Sequence, residues 1–410
     1  MKRGHLSEYF DGVAGKRLSA VESDTSRSNQ HEFQAIRAMV DFMGRPTERV
    51  QLDAKFIYLT DDDPDPILED AYLTLYNSRQ NKPRAPEYRF YFPDNAVMDC
   101  ASEGDLLVIA KRRHGGMLVI VAEDGSSIAS QVEWLFGLTE MASPGFSIRA
   151  ELENSQDRIE FATTFILEAI GVEVEVADDN YLDKIIARLG NGWPKSVDLS
   201  LLARELAGDV DPVGDPDLTL LTWVEKEYVL FRTLERHNVS ERLDSGFSGA
   251  DGIEDFLQFS LSVQNRRKSR SGLSFENHVG ELISARDLPF ARNKKTEGKS
   301  KPDFLFPGVR EYSDPAFPAS SLFMLGAKTS AKERWRQVLA EAARIEEKHL
   351  ITMEAAISTN QTDEMKRNRV QLVIPAPIQQ TYTAAQQSDL LSFHDFLDFI
   401  DHRLVLGVES

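Results

Sequence analysis

The sequence has almost no cysteine and no long apolar run. Cys100 is the only cysteine among 410 residues, which excludes an intramolecular disulfide framework and a cysteine-rich zinc site. No apolar run approaches the ~18–20 residues needed to cross a bilayer, so no membrane partner is predicted. The N-terminal segment is polar and lacks the apolar core of a signal peptide. These absences predict a protein of the reducing cytoplasm.

The composition is that of a globular chain with an uneven charge. Hydrophobic residues make up 41% and charged residues 28%, and the length predicts two or three domains of roughly 100–200 residues each. The net charge is −19. Residues 151–225 hold 17 Asp/Glu and 5 Lys/Arg, whereas residues 261–301 hold 10 Lys/Arg and 4 Asp/Glu. An acidic chain can therefore still offer a basic surface to a polyanion such as DNA.

The first 145 residues have the pattern of a β domain. Short runs rich in β-branched and aromatic residues predict strands at 50–60, 88–92, 105–110 and 117–122. The last two runs are joined by a turn that ends in Gly115-Gly116, which predicts a hairpin. Residues 32–43 are predicted to form a helix. Strands at this spacing indicate a barrel or a sandwich.

The remaining chain is mixed and then helix-rich. Residues 146–217 form an acidic connecting segment, with helices predicted at 157–170 and 181–189 and an exposed linker at 208–217. Beyond it, helices are predicted at 218–236, 252–266, 275–285, 331–349 and 391–400, and strands at 302–306, 322–327 and 371–375. The order strand, helix, strand predicts a crossover connection and a parallel pair of strands.

A spaced set of charged residues suits phosphodiester hydrolysis. Asp303 begins an apolar strand, Lys328 ends a second one, and Glu341 lies on the predicted helix that follows. Mg²⁺ prefers oxygen ligands, which Asp303 and Glu341 offer. A lysine beside them can orient a water and offset developing charge. Glu276, on the preceding helix, is a further carboxylate candidate.

Each of these residues also has an ordinary structural explanation. An aspartate after proline is often part of a turn, a lysine at a strand end is usually solvated, and a glutamate on a charged helix is often surface charge. The spacing has few required residue types in a chain with 66 acidic residues. On the residues alone, the nuclease interpretation and the structural one both stay open.

Longer segments favour the nuclease. Residues 262–270, 301–307 and 332–337 read SVQNRRKSR, KPDFLFP and KERWRQ, and they resemble, in order and separation, segments of the EcoRII-like type II restriction endonucleases. The resemblance covers residues 227–374. It implies a C-terminal α/β/α domain of the PD-(D/E)XK nuclease superfamily with a central mixed sheet. It also implies that Glu276, Asp303, Lys328 and Glu341 are the active-site residues.

The same resemblance implies the residues that read the target. Lys332, Glu333 and Arg334 fall on the family's triplet for the outer C·G pairs, and Lys and Arg can donate to guanine while Glu can accept from cytosine. Because Arg334 and Glu341 are predicted to share one helical face, reading and cutting would be linked. Trp223 stands where the family has arginines near an extruded base. It can stack on such a base or be a core residue.

The N-terminal part resembles the family's effector domain through residues 16–20 and 76–79. This implies a β-pseudobarrel of the plant B-three DNA-binding type, with two arms that grip the major groove. Its basic residues would contact phosphates or bases, and its amides and histidine would read bases. The implied contacts are Lys16, Arg17, Arg27, Asn29, Gln30, His31, Arg79, Lys82, Arg84 and Arg89.

The sequence as a whole predicts a Mg²⁺-dependent type II restriction endonuclease. The predicted domains are a DNA-binding effector domain at 1–145, the connecting segment at 146–217 and an endonuclease domain at 218–410. A homodimer would cut double-stranded DNA at a short near-palindromic site with outer C·G pairs, and a second DNA copy on the effector domain would relieve autoinhibition. No nucleotide cofactor is predicted. The alternatives are a modification-sensing or repair nuclease, and a DNA-binding regulator with a decayed nuclease core.

Overall fold

The computed structural model describes residues 5–23, 31–63, 65–80, 83–138, 146–149, 152, 161–172, 181–247, 251–298, 300–331 and 334–408. The chain divides into two compact units. One comprises Met1–Val174 and Ala356–Gln361, and the other comprises Glu175–Ala355 and Thr362–Ser410. The predicted connecting segment, residues 146–217, is thus shared between the two units. In the described parts, no helix has the length and apolar character to span a membrane.

The N-terminal unit is built on one eight-stranded sheet. Its elements are β1 (Phe10–Arg17), α1 (Ala20–Ser23), β2 (Glu32–Ala35), α2 (Arg37–Met43), β3 (Val50–Leu59), β4 (Ile67–Asn77), β5 (Tyr88–Tyr91), α3 (Ala96–Cys100), β6 (Leu106–Arg112), β7 (Met117–Ala122), α4 (Ser127–Phe136), β8 (Ser147–Arg149) and α5 (Phe161–Ala169). The strand order is β2-β5-β4-β3-β7-β6-β1-β8. β6 and β7 form the predicted antiparallel hairpin, and β3 and β7 run parallel.

The single helix predicted at 32–43 is wrong, because its first part is a strand. β2 pairs with β5 in antiparallel register, Phe33 opposite Phe90. Phe33 and Ala35 are buried while Gln34 between them is exposed, which is the alternation of a strand rather than the period of a helix. Phe33 stacks on Phe92 with 4.5 Å between ring centroids. Burial of this aromatic pair in the sheet outweighs the local helical pattern.

The C-terminal part of the chain surrounds a five-stranded sheet. Its elements are α6 (Tyr181–Leu189), α7 (Ser196–Leu206), α8 (Pro216–Asp244), α9 (Gly252–Ala285), β9 (Ala291–Arg292), β10 (Phe304–Phe306), α10 (Val309–Ser313), β11 (Phe323–Ala327), α11 (Trp335–Leu339), β12 (Lys348–Ile351), α12 (Thr359–Arg367), β13 (Val370–Val373), α13 (Ala376–Gln379), α14 (Ala384–Gln387) and α15 (Phe393–Val408). The strand order is β13-β12-β11-β10-β9. β11, β12 and β13 run parallel, and β9, β10 and β11 run antiparallel, so the predicted mixed sheet is confirmed.

The helical part of the acidic segment packs on the helices of the C-terminal unit. Tyr181, Ile185, Leu199 and Leu202 form one buried cluster with α8. The predicted exposed linker at 208–217 is wrong at its end, because Pro216 and Asp217 open α8. The Asp217 carboxylate is buried and accepts backbone N–H bonds from Ala376, Phe393 and His394. These bonds join the first turn of α8 to the starts of two later helices.

α9 is one helix of 34 residues, where two helices were predicted at 252–266 and 275–285. The intervening residues include Gly272, and a single glycine inside a helix costs only about 1 kcal/mol relative to alanine. The buried C-terminal half of α9, around Phe275 and Val279, supplies packing that outweighs this cost. Glu276 therefore lies in the C-terminal half of one continuous helix.

The long helix predicted at 331–349 is wrong, and the difference changes the position of Glu341. α11 is only five residues long, and the chain turns at Ala342, whose φ of +48° lies in the left-handed region. Residues 348–351 then form β12 between β11 and β13. The buried apolar residues Trp335, Val338 and Ile345 mimic a helical period. Pairing of β12 with two neighbouring strands outweighs that pattern, because it satisfies the buried backbone on both sides.

Candidate active site

Asp303 and Lys328 meet at one end of two neighbouring strands. Asp303 immediately precedes β10 and Lys328 immediately follows β11, and these strands are antiparallel partners. One carboxylate oxygen of Asp303, Oδ2, accepts from Lys328 Nζ at 2.6 Å and from the backbone N–H of Ala327 at 2.7 Å. Both side chains are buried. A buried charge pair of this kind is stable only with good geometry and further hydrogen bonds, which the backbone N–H supplies.

The position of α11 beside β11 depends on a glycine. A Cβ added at Gly326 would lie 2.9 Å from Val338 Cγ2 and 3.6 Å from Leu350 Cδ1. Only glycine therefore lets α11 approach β11 so closely. This approach brings the residues that follow α11, Glu341 among them, towards the ends of β10 and β11.

Glu341 lies in the turn after α11, close enough to Asp303 for the two carboxylates to repel. Burial, and after it the charge of Asp303, raises the pKa of Glu341 to about 7. Within the described part of the chain, Glu341 Oε2 is buried without a hydrogen-bond partner. A buried carboxylate oxygen without a donor usually binds a water or an ion, or has a functional role.

Glu276 approaches the site from α9. Its Oε2 accepts from Arg292 Nη2 at 3.3 Å and from Asn293 Nδ2 at 3.2 Å. The backbone N–H of Asn293 in turn donates to the carbonyl oxygen of Asp303 at 3.0 Å. Glu276 is thus connected to Asp303 through one residue, and its carboxylate is held by two donors.

The carboxylates of this site suit a hard divalent cation that takes only part of its ligands from the protein. In the described residues, no group of three or more His, Cys, Asp or Glu side chains is arranged to hold a metal ion. Asp303 and Glu341 supply two carboxylates, one of them with an unpartnered oxygen. Mg²⁺ is usually held by one or two carboxylates together with waters and substrate phosphates. The residues present therefore suit Mg²⁺ and do not suit a closed structural metal site.

Four polar residues around Glu341 were not predicted from the sequence. Lys348 donates from Nζ to the carbonyl oxygens of Glu341 and, at 2.7 Å, Ala342. Glu297 and the Tyr312 hydroxyl accept from the backbone N–H groups of the next two residues of the turn. The Arg344 guanidinium donates to the carbonyl oxygens of Asp314 and Phe317. Nothing in the sequence around these residues indicated this role. Their hydrogen-bond partners are distant along the chain or belong to the segment that was wrongly predicted to be a helix.

The loop between Lys328 and α11 is also anchored. Glu354 Oε2 accepts from the backbone N–H of Ala331 and from Ser330 Oγ, and Thr352 Oγ1 donates to the carbonyl oxygen of Thr329 at 3.3 Å. Arg334 follows this loop and is exposed. Lys332 and Glu333 lie outside the described residues. Because α11 ends at Leu339, the prediction that Arg334 and Glu341 share one helical face is wrong.

Trp223 lies inside the helical layer of the C-terminal unit. Its side chain is 5% exposed, its ring lies 5.7 Å from that of His278, and the Arg204 guanidinium lies over it at 5.7 Å. Stacking on an extruded base would require the indole to leave these contacts.

Several of the predicted DNA contacts in the N-terminal unit are paired with carboxylates. Lys16 is buried and pairs with Glu22, Arg17 pairs with Asp124 and Glu133, Arg79 pairs with Glu87, and Arg89 pairs with Glu32 and Glu87. A phosphate would have to compete with these carboxylates for the same donors.

The other predicted contacts divide between exposed and undescribed residues. Arg84 is exposed. His31 is half-buried, with Nδ1 3.4 Å from Asp94 Oδ1 and its ring against Phe92. Arg27, Asn29, Gln30 and Lys82 lie outside the described residues.

Comparison with known proteins identifies the C-terminal domain. Residues 231–397 match the protein-family model described as EcoRII C terminal, which makes this mixed-sheet domain a restriction-endonuclease-like α/β domain. The chain is 40% identical over 184 residues to the type II restriction enzyme EcoRII of Escherichia coli. These residues are 45% of this chain and 45% of that enzyme, so the chain spans less than half of its relative. The predicted EcoRII-like resemblance is confirmed.

Solved structures of restriction enzymes give weaker matches. Metal-depleted Ecl18kI in complex with uncleaved, modified DNA is 19% identical, with a TM-score of 0.45, and the match covers 57% of this chain and 86% of that one. The PspGI–substrate DNA complex is 17% identical, with a TM-score of 0.38, over 58% of this chain and 95% of that one.

Proposed function

We propose that this protein is a Mg²⁺-dependent type II restriction endonuclease. It cleaves double-stranded DNA at a short near-palindromic site with outer C·G pairs, of the CC(N)GG kind. The observation that carries the proposal is the meeting of Asp303, Lys328 and Glu341 at the ends of β10, β11 and α11 in an EcoRII-like domain. Digestion of a sequenced plasmid with Mg²⁺, followed by mapping of the ends, tests it. Ends scattered at random would contradict a site-specific enzyme.

Each residue of the site has a separate task. Asp303 and Glu341 would hold Mg²⁺, which supplies charge neutralisation at the scissile phosphate and an activated water. The Lys328 ammonium, held by Asp303 at 2.6 Å, faces the developing negative charge and orients the attacking water. Glu276 accepts a hydrogen bond from Asn293 and would add a third carboxylate next to the metal ligands.

The alternative of a decayed nuclease is disfavoured by the intact set of charged residues. Asp303 and Lys328 are both buried, and buried charges are costly unless they are paired or coordinate a metal. A modification-sensing nuclease would use the same active site. Digestion of plasmids prepared from methylating and non-methylating hosts separates it from a conventional restriction enzyme.

Metal binding is expected to depend on the protonation of Glu341. Its pKa is raised to about 7, so below this pH the carboxyl is mostly protonated and a metal must displace the proton. The affinity for Mn²⁺ should be about tenfold lower at pH 6 than at pH 8. Calorimetric titration at the two pH values measures this. Glu341→Gln should remove the dependence, and equal affinities in the wild-type protein would contradict it.

Arg334 is proposed to read the outer C·G pair. Arg334→Ala should cost roughly 1–3 kcal/mol of discrimination, because a bidentate contact to guanine is lost. The ratio of specific to nonspecific DNA affinity, measured at one salt concentration, checks this. Arg336→Ala is the matched control, since Arg336 follows on α11 and is paired with Glu364 at 3.0 Å. An unchanged ratio for Arg334→Ala would make it a phosphate or surface residue.

The active form is proposed to be a homodimer, since a near-palindromic site calls for two-fold related readers. The N-terminal half of α9 supports this with exposed apolar residues at helical spacing, namely Ile253, Phe256, Leu257 and Leu261. The same helix is acidic at its start, with Glu254 and Asp255, and basic from Arg266 to Arg270. Two copies packed antiparallel would bury the apolar face and pair opposite charges.

Disruption of this face should produce monomers. The double variant Leu257→Asp, Leu261→Asp buries carboxylates in the proposed interface, which is strongly unfavourable. Light scattering should report a dimer for the wild-type protein and a monomer for the double variant. Leu201→Asp, an exposed leucine on α7, is the control and should stay dimeric. A wild-type monomer with and without DNA would contradict the proposal.

The N-terminal unit is proposed to be the effector domain. Its eight-stranded sheet is compatible with a pseudobarrel of the B-three type, and Arg84 is exposed for a phosphate contact. In the proposed inactive state, the N-terminal unit inhibits the nuclease domain. A second DNA copy bound to the N-terminal unit would relieve this inhibition, by as much as DNA binds the active state more tightly than the inactive one. The acidic segment at 151–225 supports a restraint on the basic region at 261–301.

A further inference from the structure

We infer that Lys348 is a positioning residue for Glu341, and that it fixes the turn from which this carboxylate reaches the metal. Lys348 lies on β12, between β11 and β13, and its side chain is 5% exposed. From there its ammonium donates to the carbonyl oxygens of Glu341 and Ala342. The inference rests on the proposed function and adds a residue to it.

The burial of Lys348 needs a reason. Lysine is among the residues least often fully buried, and an ammonium in the protein interior is costly unless its donors are satisfied. Here two of the three donors are used by consecutive backbone carbonyls. This lysine therefore acts as a clamp on a specific peptide segment.

The carbonyl oxygens of Glu341 and Ala342 lie beyond the end of α11 and have no partner within that helix. α11 ends at Leu339, and the last carbonyl groups of a helix have no partner within it. The Glu341 N–H donates to Val338 O at 3.1 Å, and Ala342 then adopts a φ of +48°. For a residue with a Cβ, this conformation is strained, so surrounding contacts must hold it in place.

A second group of residues clamps the other side of the turn. The N–H of Ala343 donates to Glu297 Oε2 at 3.4 Å, and that of Arg344 to the Tyr312 hydroxyl at 3.3 Å. The Tyr312 hydroxyl donates in turn to Glu297. The backbone from 341 to 344 is therefore fixed on both sides, while Glu341 Oε2, within the described residues, keeps no hydrogen-bond partner.

A positioning role and a purely electrostatic role predict opposite results. The Lys348 ammonium attracts the Glu341 carboxylate, and its positive charge repels a cation bound there. Removing the charge also raises the pKa of Glu341, so the comparison is made at a pH well above that pKa, where the carboxylate is ionised with or without Lys348. There, if charge were its only effect, removing it would strengthen metal binding. If Lys348 positions Glu341, removing it weakens metal binding, because residues that orient metal ligands typically contribute about 10–100-fold in affinity or activity.

The test is calorimetric titration of the full-length protein with Mn²⁺ alone, at about pH 8.5, where Glu341 is mostly ionised. Lys348→Met should weaken Mn²⁺ binding at least tenfold, and Lys348→Arg, which keeps the donors, should stay within about threefold of wild type. Lys366→Met, an exposed lysine on α12 paired with Asp389, is the matched control and should bind as wild type. The Mg²⁺ concentration for half-maximal cleavage should rise in parallel for Lys348→Met. Unchanged or tighter Mn²⁺ binding by a folded Lys348→Met overturns the inference.

Tyr312→Phe covers the case in which Lys348→Met does not fold. This variant keeps Lys348 and removes only the hydroxyl between Glu297 and the Arg344 N–H, and it should weaken Mn²⁺ binding about threefold to tenfold. Thermal unfolding reports whether each variant is folded. If Lys348→Met is unfolded and Tyr312→Phe binds Mn²⁺ as wild type does, the inference is overturned. A wild-type protein that binds no Mn²⁺ overturns it together with the proposed function, whereas site-specific cleavage with unaltered variants overturns the inference alone.

Discussion

Asp303→Asn is expected to reduce DNA cleavage about 1,000-fold and to leave specific DNA binding in place. The carboxylate is a proposed metal ligand, metal-assisted charge stabilisation is worth several kcal/mol, and ~1.4 kcal/mol corresponds to a factor of ten. Asparagine keeps the shape of the side chain. It is preferable to alanine, which would leave the buried Lys328 ammonium without its partner oxygen. Single-turnover cleavage and gel-shift titration without metal measure the two properties.

Lys328→Met should have a comparable effect on cleavage, since it removes the ammonium proposed to face the scissile phosphate. The chain offers a matched control in Asp389→Asn. Asp389 pairs with Lys366 at 2.8 Å, which resembles the Asp303–Lys328 pair, but it lies on the surface. Exposed pairs contribute only about 0–1 kcal/mol to stability, so this control should cut DNA as wild type. Wild-type cleavage by Asp303→Asn or Lys328→Met would refute the active-site assignment.

The second large effect is expected from removal of the N-terminal unit. A fragment of residues 175–410 should cut DNA with a single site at least fivefold faster than the full chain does. Relief of an inhibitory coupling of about 1–3 kcal/mol corresponds to roughly 5–150-fold. The fragment begins at 175 because α6 and α7 pack on α8 through Ile185, Leu199 and Leu234. A second DNA duplex added in trans should accelerate the full chain and not the fragment.

A shorter fragment, residues 218–410, is the structural control. It lacks α6 and α7 and exposes the apolar face of α8, so it should unfold at a lower temperature than 175–410. The competing account is that the N-terminal unit only tethers the nuclease to DNA and raises its local concentration. In that case the folded 175–410 fragment would cut the single-site substrate more slowly than the full chain, and autoinhibition would be wrong.

The sequence was most informative where the chemistry is carried by residue type and order. Pro302-Asp303, Lys328 and the segments around them were sufficient to predict an EcoRII-like domain, and the match to the EcoRII C-terminal family model confirms this resemblance. The apolar runs at 302–306 and 322–327 predicted two strands, because short apolar runs of this kind are typical of buried strands. The structure has β10 and β11 within them.

The same reasoning gave a wrong prediction at residues 331–349. Trp335, Val338 and Ile345 are spaced as on a helix, yet β12 begins at Lys348. A strand that opens with a buried lysine and histidine has no local hydrophobic signature. Its stability comes from β11 and β13, which pair with it on both sides, and those partners are distant along the chain. Local pattern therefore predicted the wrong element for Glu341.

The sequence by itself determined the kind of domain, the acidic and basic residues available for phosphate chemistry, and their order along the chain. The tertiary structure decided how they meet. It brought Lys328 onto Asp303, placed Glu341 in a turn where burial raises its pKa, and used Lys348 to hold that turn. It also paired Arg17, Arg79 and Arg89 with carboxylates. The physical reason is that hydrogen bonds and charge interactions depend on distances between residues remote in sequence, whereas pattern and propensity describe only near neighbours.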